Sequence, residues 1–587
     1  MTKKAIQISG LLILVFALVS SAYSQSKTVF IKKPAVGADA TPIVREALQE
    51  CRRTKATKLV FEKGGYVFQP DLASEKYVSV SNNDEGLKRF AFDLSGMTGL
   101  EIDGRGSDFK FNGFICPFLL EKSNRISVKN LSIDFLRTFH SEGKIVGSYL
   151  DSLDIEFGAE FPYMVQNNKL TFTGNQVIGK DNGGEPKRVV FPFWHLLEYD
   201  AVKREPAATG YDFLNVQNMI VKELKPGVVR LYHPRLRGAL GNTMIFNATD
   251  RLVPAFTISD SEGVNLKGVT IYHAGGVGVL AQRSNNILLD SVKVIAAPGR
   301  MVSTAADATH FVNCGGKITL QNSIFQSMMD DATNIHGIYV KITKIISPKE
   351  VLVKLVHYQQ FGFDAFKANT KVELTEAESL NAYGNNVVSK VERLNKEYTK
   401  LTFAAPLHKS VKLGDVVSSA EQYPEVLMKN CRVEKNRARG ILLGSRGKTV
   451  IENNYFHTHC SAINLEGDGR FWYEQAGVRD LTIRGNMFDN CNYSFMLGIG
   501  VIRVSSGIEE NKKSVSRYNK NILIENNTFR VFNPNILHMY SVDNLAYRNN
   551  KVEENSEYTL LEYFKAMNLK PYMVSESSNI KIEDANL

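Results

Sequence analysis

Four apolar side chains spaced two, three and two residues apart recur along this chain at least nine times. The set Ile126, Val128, Leu131, Ile133 is followed by Val264, Leu266, Val269, Ile271 and by Ile287, Leu289, Val292, Val294. Further copies are Val426, Met428, Cys431, Val433; Leu481, Ile483, Asn486, Phe488; Ile522, Ile524, Asn527, Phe529; and Leu545, Tyr547, Asn550, Val552, with looser ones starting at Ile318 and Thr449. A spacing of two is strand alternation onto one face. The spacing of three adds a residue that turns the chain and keeps the next pair inward. Copies begin 23 residues apart at 264, 287 and again at 426, 449 and at 522, 545, which is one coil of a solenoid. A single coil cannot bury its own inner face, so coils must stack. The pattern predicts an all-β chain built on a right-handed parallel β-helix, with rungs about 4.8 Å apart.

The third slot becomes Asn at Asn454, Asn486, Asn527 and Asn550. Four in register predict a ladder of stacked amides bonded to the bend backbone. The repeat lapses twice, over Leu136–Arg251 and from about Ile338 to Gln422, and both stretches alternate in the β manner, as two inserted β-barrel-like domains or sandwiches would. In the first, Met219–Leu224 and Val228–Tyr232 flank the turn Lys225-Pro226-Gly227. Insertions in stacked folds map to one face, often the binding face. The expected organisation is a signal segment 1–24, a capped start with the first coils 25–135, an inserted β domain 136–251, and coils 252–337. A second inserted β-barrel 338–422 and closing coils 423–587 follow. A helix over Ala40–Arg53, apolar at Val44, Ala47 and Leu48, is expected to cap the open end.

Lys3 and Lys4, the apolar run Leu11–Val19 and the small-residue site Ala22-Tyr23-Ser24 predict an exported protein, periplasmic or secreted. The run is too short to span a bilayer, no other stretch qualifies, and no Cys follows it to carry a lipid. Cys51, Cys116, Cys314, Cys431, Cys460 and Cys491 are widely spaced, which excludes a zinc site of close cysteine pairs and points to buried free thiols. The formal charge of +10 falls to +8 without Lys3 and Lys4. Its Lys and Arg are scattered, which argues against a nucleic-acid partner. No cofactor or metal is called for, and the oligomeric state, a homodimer included, is left open.

The chemistry lies in a tripeptide written twice. Asp307-Ala308-Thr309 recurs as Asp331-Ala332-Thr333, 24 residues on, with Asp330 just before the second copy. The offset is about one coil, so Asp307 and Asp331 are expected to open the same strand on adjacent rungs, with Asp330 starting from the opposite pleat. Like charges so close raise one carboxyl's pKa, which leaves an acid beside an anion, the pair that glycoside hydrolysis needs. Acidic clusters also cap turns or bind Ca²⁺. His310, Asn334 and His336 follow the copies and can bind sugar hydroxyls. The loop Asn464–Glu474, with Glu466 and Trp472, follows the same kind of strand on a later coil and is expected to line a sugar subsite. Trp194 is expected in the core of the first insertion.

With Ala-Asp-Ala-Thr-His around Asp307, Met-Met-Asp-Asp-Ala-Thr-Asn at 328–334, a β-helix and two inserted β-domains, the chain resembles glycoside hydrolase family 110 over nearly its whole mature length. The resemblance implies an exported, exo-acting, inverting α-1,3-galactosidase without a catalytic metal. It implies a general acid at Asp307, base function at Asp330 and Asp331, and as substrate the fucosylated blood group B determinant, linear α-Gal, or both. Asp330-Asp331 and Ile335-His336-Gly337 also resemble polygalacturonases, for which Arg300 or Arg439 would meet a uronate. A non-catalytic glycan-binding β-helix is the third reading.

Overall fold

The computed structural model describes residues 27–583 apart from 181, 209, 211, 214, 215, 495, 496 and 561; the signal segment proposed for 1–24 lies outside the described residues. Each two-three-two copy folds as two short strands joined by one bend. The residue before the third slot takes a left-handed backbone in all nine copies: Asn130, Gly268, Ser291, Asn322, Asn430, Asn453, Gly485, Asn526 and Asn549. Positive φ suits Asn and Gly, and it lets the chain turn while both strand pairs stay inward. The stacked copies pair in parallel and in register, Val264 on Ile126 and on Ile287, Ile451 on Ile483, Ile524 on Tyr547.

The asparagine ladder forms inside this stack. Asn486 Oδ1 accepts from the backbone N–H and the Nδ2 of Asn454, both at 2.9 Å. Asn486 Nδ2 in turn donates to Ile451 O at 2.9 Å and to Asn527 Oδ1 at 3.0 Å. Asn527 repeats the pattern on Asn550. These buried amides are therefore satisfied along the helix axis. Around them lies a continuous core of Val, Ile, Leu and Phe. The six cysteines are buried and unpaired.

A second parallel sheet forms another wall of the solenoid, through Phe256–Ser259, Val279–Gln282, Thr309–Val312, Thr333–Ile338, Ile441–Leu443 and Ile463–Leu465. The residues just before and along these strands form the floor of the site. The helix Thr41–Thr54 packs Val44, Ala47, Leu48 and Cys51 on the first coils, with Lys55 in the left-handed region ending it. The antiparallel hairpin Ser74–Val80 and Asp84–Asp93 extends the second sheet, and its turn carries Asn82.

The first insertion is a seven-stranded antiparallel sheet with a separate three-stranded one, and includes the hairpin Ile220–Lys225 and Val228–Tyr232. Its seven strands run as an open path. The second insertion is a closed six-stranded barrel from Val340–Ser347 to Val416–Ser419. Its interior holds Val351, Val353, Val372, Leu374, Val388 and Leu401. Among the described residues, no helix is long and apolar enough to cross a membrane.

Candidate active site

Thr309 pairs with Thr333, and Thr333 with Ile441, on three successive rungs. Two residues earlier on each rung stand Asp307, Asp331 and Arg439. The register therefore stacks two carboxyls and a guanidinium, although Arg439 lies 108 residues beyond Asp331 in sequence. The Asp331 backbone N–H donates to Asp307 Oδ1 at 3.2 Å. Arg439 grips Asp331 twice, backbone N–H to Oδ1 and Nη2 to Oδ2, both at 2.8 Å. Asp330 leaves the opposite pleat toward Arg251, which donates to its Oδ2, and toward Arg437 at 4.0 Å. Arg437 is held by Asp212 of the first insertion.

Carboxyl oxygens of Asp307, Asp330 and Asp331 lie within 4.8 Å of one another. A cation could bridge such oxygens, but three guanidiniums already supply the countercharge. Burial, then the neighbouring Asp330 charge, pushes Asp307 up to about 7. Burial also pushes Asp331 up, against the pull of Arg439. Asp330 goes the other way: burial would raise it, but Arg251, Arg437 and Arg439 together hold it below the ordinary carboxyl range. The surroundings thus push Asp307 and Asp331 toward the protonated form and Asp330 toward the anion.

These groups open into a pocket of about 230 Å³. His310, Asn334 and Leu442, in register on successive rungs, line its floor with the carboxyls. Glu466, Trp472 and Glu474 line it from the loop that leaves the next coil. Asp468 shapes that loop by accepting backbone N–H groups from Arg470 at 3.0 Å and Phe471 at 2.6 Å, and from Trp472. His357 of the barrel insertion stands against Trp472, ring centroids 4.8 Å apart. Asn82 also lines the pocket, its backbone N–H donating to Gln359 O at 2.9 Å and its Nδ2 to Glu474 Oε1 at 2.8 Å.

Several expectations change. His336 does not reach the pocket. It shares a face with Asn334, but Glu474–Gln475 pairs with Gly337–Ile338 and its loop covers the imidazole. Trp194 is not core: it is partly exposed and lines the pocket. Arg300 is tied to Asp134 at 2.6 Å and is absent from the pocket wall, whereas Arg439 is part of it. Asn82, Arg251, Gln359 and Arg437 are pocket residues that the sequence reading missed, whereas Glu474 ends the loop expected to line it. Arg439 could have been found by counting the strand register across the barrel insertion. The others sit on loops and insertions outside the repeat.

A β-helix whose side wall gathers three carboxyls, arginines and tryptophans into one small polar pocket has the architecture of a carbohydrate-active enzyme. Family models agree with the parts: the GLAA-B β-barrel domain I matches residues 141–242, the GLAA-B β-barrel domain II matches 350–417, and the right-handed β-helix region matches 416–586. Alpha-1,3-galactosidase A of Shewanella woodyi is 36% identical over 91% of this chain and 86% of its own. Alpha-1,3-galactosidase B of Bacteroides thetaiotaomicron is 29% identical over 99% and 94%. A family 28 exopolygalacturonase of Yersinia enterocolitica aligns with a TM-score of 0.41 at 10% identity, over 96% of this chain and 80% of that one. The chain belongs to the α-1,3-galactosidase family, and it is a glycosidase. That membership sets aside the non-catalytic reading.

Proposed function

We propose that the chain is an exported, exo-acting, inverting glycosidase that releases terminal α-1,3-linked galactose from oligosaccharides and glycoconjugates. The observation that carries this reading is the three-carboxyl cluster at the floor of a small pocket. Hydrogen bonds from Asn82 to Gln359 and Glu474 tie the first hairpin, the barrel insertion and the later loop into one pocket wall. Trp472 and Trp194 offer aromatic faces for the apolar side of a galactose ring. Export is supported by the charged start and apolar run within residues 1–24.

Asp307, which holds a proton near neutrality, is the acid for the leaving oxygen, and Asp330, kept anionic by its arginines, draws the proton from water. A second assignment exchanges these roles. The Asp330 side chain is 16% exposed against 2% for Asp307 and Asp331, so it meets the sugar first. Inversion suits a site where one carboxyl donates while others gather round a water. Ordinary two-acid inverting sites space their carboxyls roughly 6.5–9.5 Å apart, whereas here one oxygen from each of three carboxyls lies within 4.8 Å of the others, so the product anomer is the critical test.

Incubation with a Galα1–3Gal disaccharide and with the fucosylated blood group B trisaccharide, followed by NMR, is expected to show galactose released first as the β-anomer. α-Galactose as first product would overturn inversion. Galacturonate from pectin with no galactose from either sugar would overturn the substrate.

A further inference from the structure

Gln359 and Trp472 line the pocket, one from the barrel insertion and one from the later loop. Their neighbours in sequence, Tyr358 and Phe471, stand outside it. Phe471 is 66% exposed, Tyr358 64% and Trp472 41%, so three large rings lie open to water beside the pocket. They are joined through His357. Its ring centroid lies 4.8 Å from Trp472, 4.9 Å from Tyr358 and 6.4 Å from Phe471, and Phe471 meets Trp472 edge to face at 5.0 Å. Single apolar side chains on a surface need no explanation, but a contiguous exposed patch marks a place of contact.

Hydrogen bonds hold these rings in place. The buried Gln360 ties the two loops together, its Nε2 donating to Trp472 O at 2.9 Å and to Tyr473 O at 3.4 Å. Its backbone N–H donates to His357 O at 2.9 Å and closes the short turn Tyr358–Gln360 that presents Tyr358. On the other loop the Asp468 carboxylate accepts from the Phe471 and Trp472 N–H groups, and Arg470 is paired with Glu509. The patch is therefore built before any ligand arrives, which lowers the ordering cost of binding.

Its chemistry is apolar and uncharged. Burial holds His357 below the ordinary histidine range, so the ring is neutral at pH 7. The charges it faces are each engaged: Glu474 by Asn82, Arg251 by Asp330, and Asp468 by its own loop. Such a surface suits the apolar faces of neutral sugar rings, which stack on aromatic side chains. The first insertion makes no matching extension. Trp194 lines the pocket and is partly exposed, but Phe193 before it packs on Phe172 and Phe246, centroids 5.7 and 5.2 Å away, and His195 after it is buried. The open run of rings therefore lies on the Trp472 side.

We propose that Phe471, Tyr358 and His357 form a binding surface for neutral sugars on the leaving side of the scissile bond, beyond the first of them, so that the enzyme favours terminal galactose carried on a longer chain. This rests on the proposed release of terminal galactose and holds whichever carboxyl is the acid. The rings continue the pocket wall without a break, through Trp472 to His357 and Tyr358 and through Trp472 to Phe471. A glycan whose end sits over the carboxyls can thus lay its next sugars on them.

The test compares Galα1–3Gal with the same disaccharide extended at its reducing end by one and by three β-linked neutral sugars. In the unmodified protein kcat/KM is expected to rise about tenfold from the disaccharide to the longest substrate. Replacing both exposed rings, Tyr358→Ala with Phe471→Ala, is expected to abolish that gain and to leave kcat/KM on the disaccharide within about twofold of wild type. Phe471→Tyr keeps a ring face and is expected to keep the gain. Equal values at every length in the unmodified protein, or a gain that survives the double variant, would overturn the surface. So would an equal loss at every length, which would put the rings in the site of the terminal sugar. Binding is read apart from turnover by titrating the β-linked tetrasaccharide left after galactose release against the fluorescence of the two tryptophans. The double variant is expected to bind it about tenfold more weakly, and unchanged binding would overturn the proposal. No galactose from any substrate would overturn the hydrolysis, and the titration would still decide the surface. A dimer in sedimentation that the double variant breaks would assign the rings to a second copy of the chain and overturn the glycan.

Discussion

The Asp331 backbone N–H donates to Asp307 Oδ1 across one turn of the helix, 24 residues along the chain. The contact needs no loop to bring the two together. It follows from Thr309 lying on Thr333 in the same sheet. The acidic cluster is thus as rigid as the solenoid, and near-isosteric changes within it alter charge with little change in shape.

Asp307→Asn and Asp330→Asn are each expected to lower kcat on Galα1–3Gal by about 10²–10⁴-fold with circular dichroism unchanged. Activity within tenfold of wild type in either variant would remove that residue from the chemistry.

The division of labour has its own assay. A 2,4-dinitrophenyl galactoside needs no proton on its leaving group, so it is expected to restore turnover to Asp307→Asn but not to Asp330→Asn. Azide is expected to rescue Asp330→Asn by replacing the activated water. Rescue in the opposite pattern would exchange the two roles.

The elevated Asp307 pKa carries a pH dependence of stability. A folded-state carboxyl near 7 against an unfolded value near 4 favours folding below about pH 4 and loses that contribution as pH rises to about 7. Asp307→Asn never ionises. It is expected to be more stable than wild type by about 2–4 kcal/mol at pH 8 and equal to it at pH 3. Thermal melts at the two values check this. A variant less stable at pH 8 would deny the strain on the native carboxylate.

The Asn ladder predicts a stability effect remote from catalysis. Asn486→Ala removes the acceptor for Asn454 and the donor to Ile451 O inside the core. The expected loss is about 2–4 kcal/mol for the groups left unpaired, seen as a lower urea midpoint with kcat unchanged at 25 °C. A midpoint equal to wild type would make the ladder ornamental.

The Trp472 loop predicts a binding effect. Trp472→Ala is expected to raise KM about tenfold, the equivalent of ~1.4 kcal/mol of lost stacking. Asp468→Ala is expected to raise it similarly, by releasing the backbone N–H groups of Arg470, Phe471 and Trp472. An unchanged KM in Trp472→Ala would place the sugar elsewhere.

The sequence made legible whatever is periodic. The solenoid follows from the two-three-two spacing, and the juxtaposition of Asp307 with Asp331 follows from an offset of one coil. The asparagine ladder was legible because its members share a slot. Position along the strand told less about exposure. Asn334 and His336 share a face, yet only Asn334 meets the pocket, because a strand from 138 residues further on covers His336. Arg251, Asn82 and Gln359 reach the site from an insertion boundary, a hairpin turn and a barrel loop. None of these obeys a period, so tertiary packing alone decides where they stand. Trp194 shows the same limit: alternation in its strand was visible, but which side meets the solenoid was not.

The barrel insertion also has a consequence for biosynthesis. It separates Asp331 from the Arg439 that neutralises it by 108 residues, so the ribosome delivers all three carboxyls long before Arg437 and Arg439. A nascent chain that pauses after the barrel carries a concentrated negative charge with only Arg251 to balance it. The first rung after the barrel therefore completes the electrostatics of the catalytic centre as it docks, and an early stop at the barrel would leave an acidic wound in the side of an otherwise ordered solenoid.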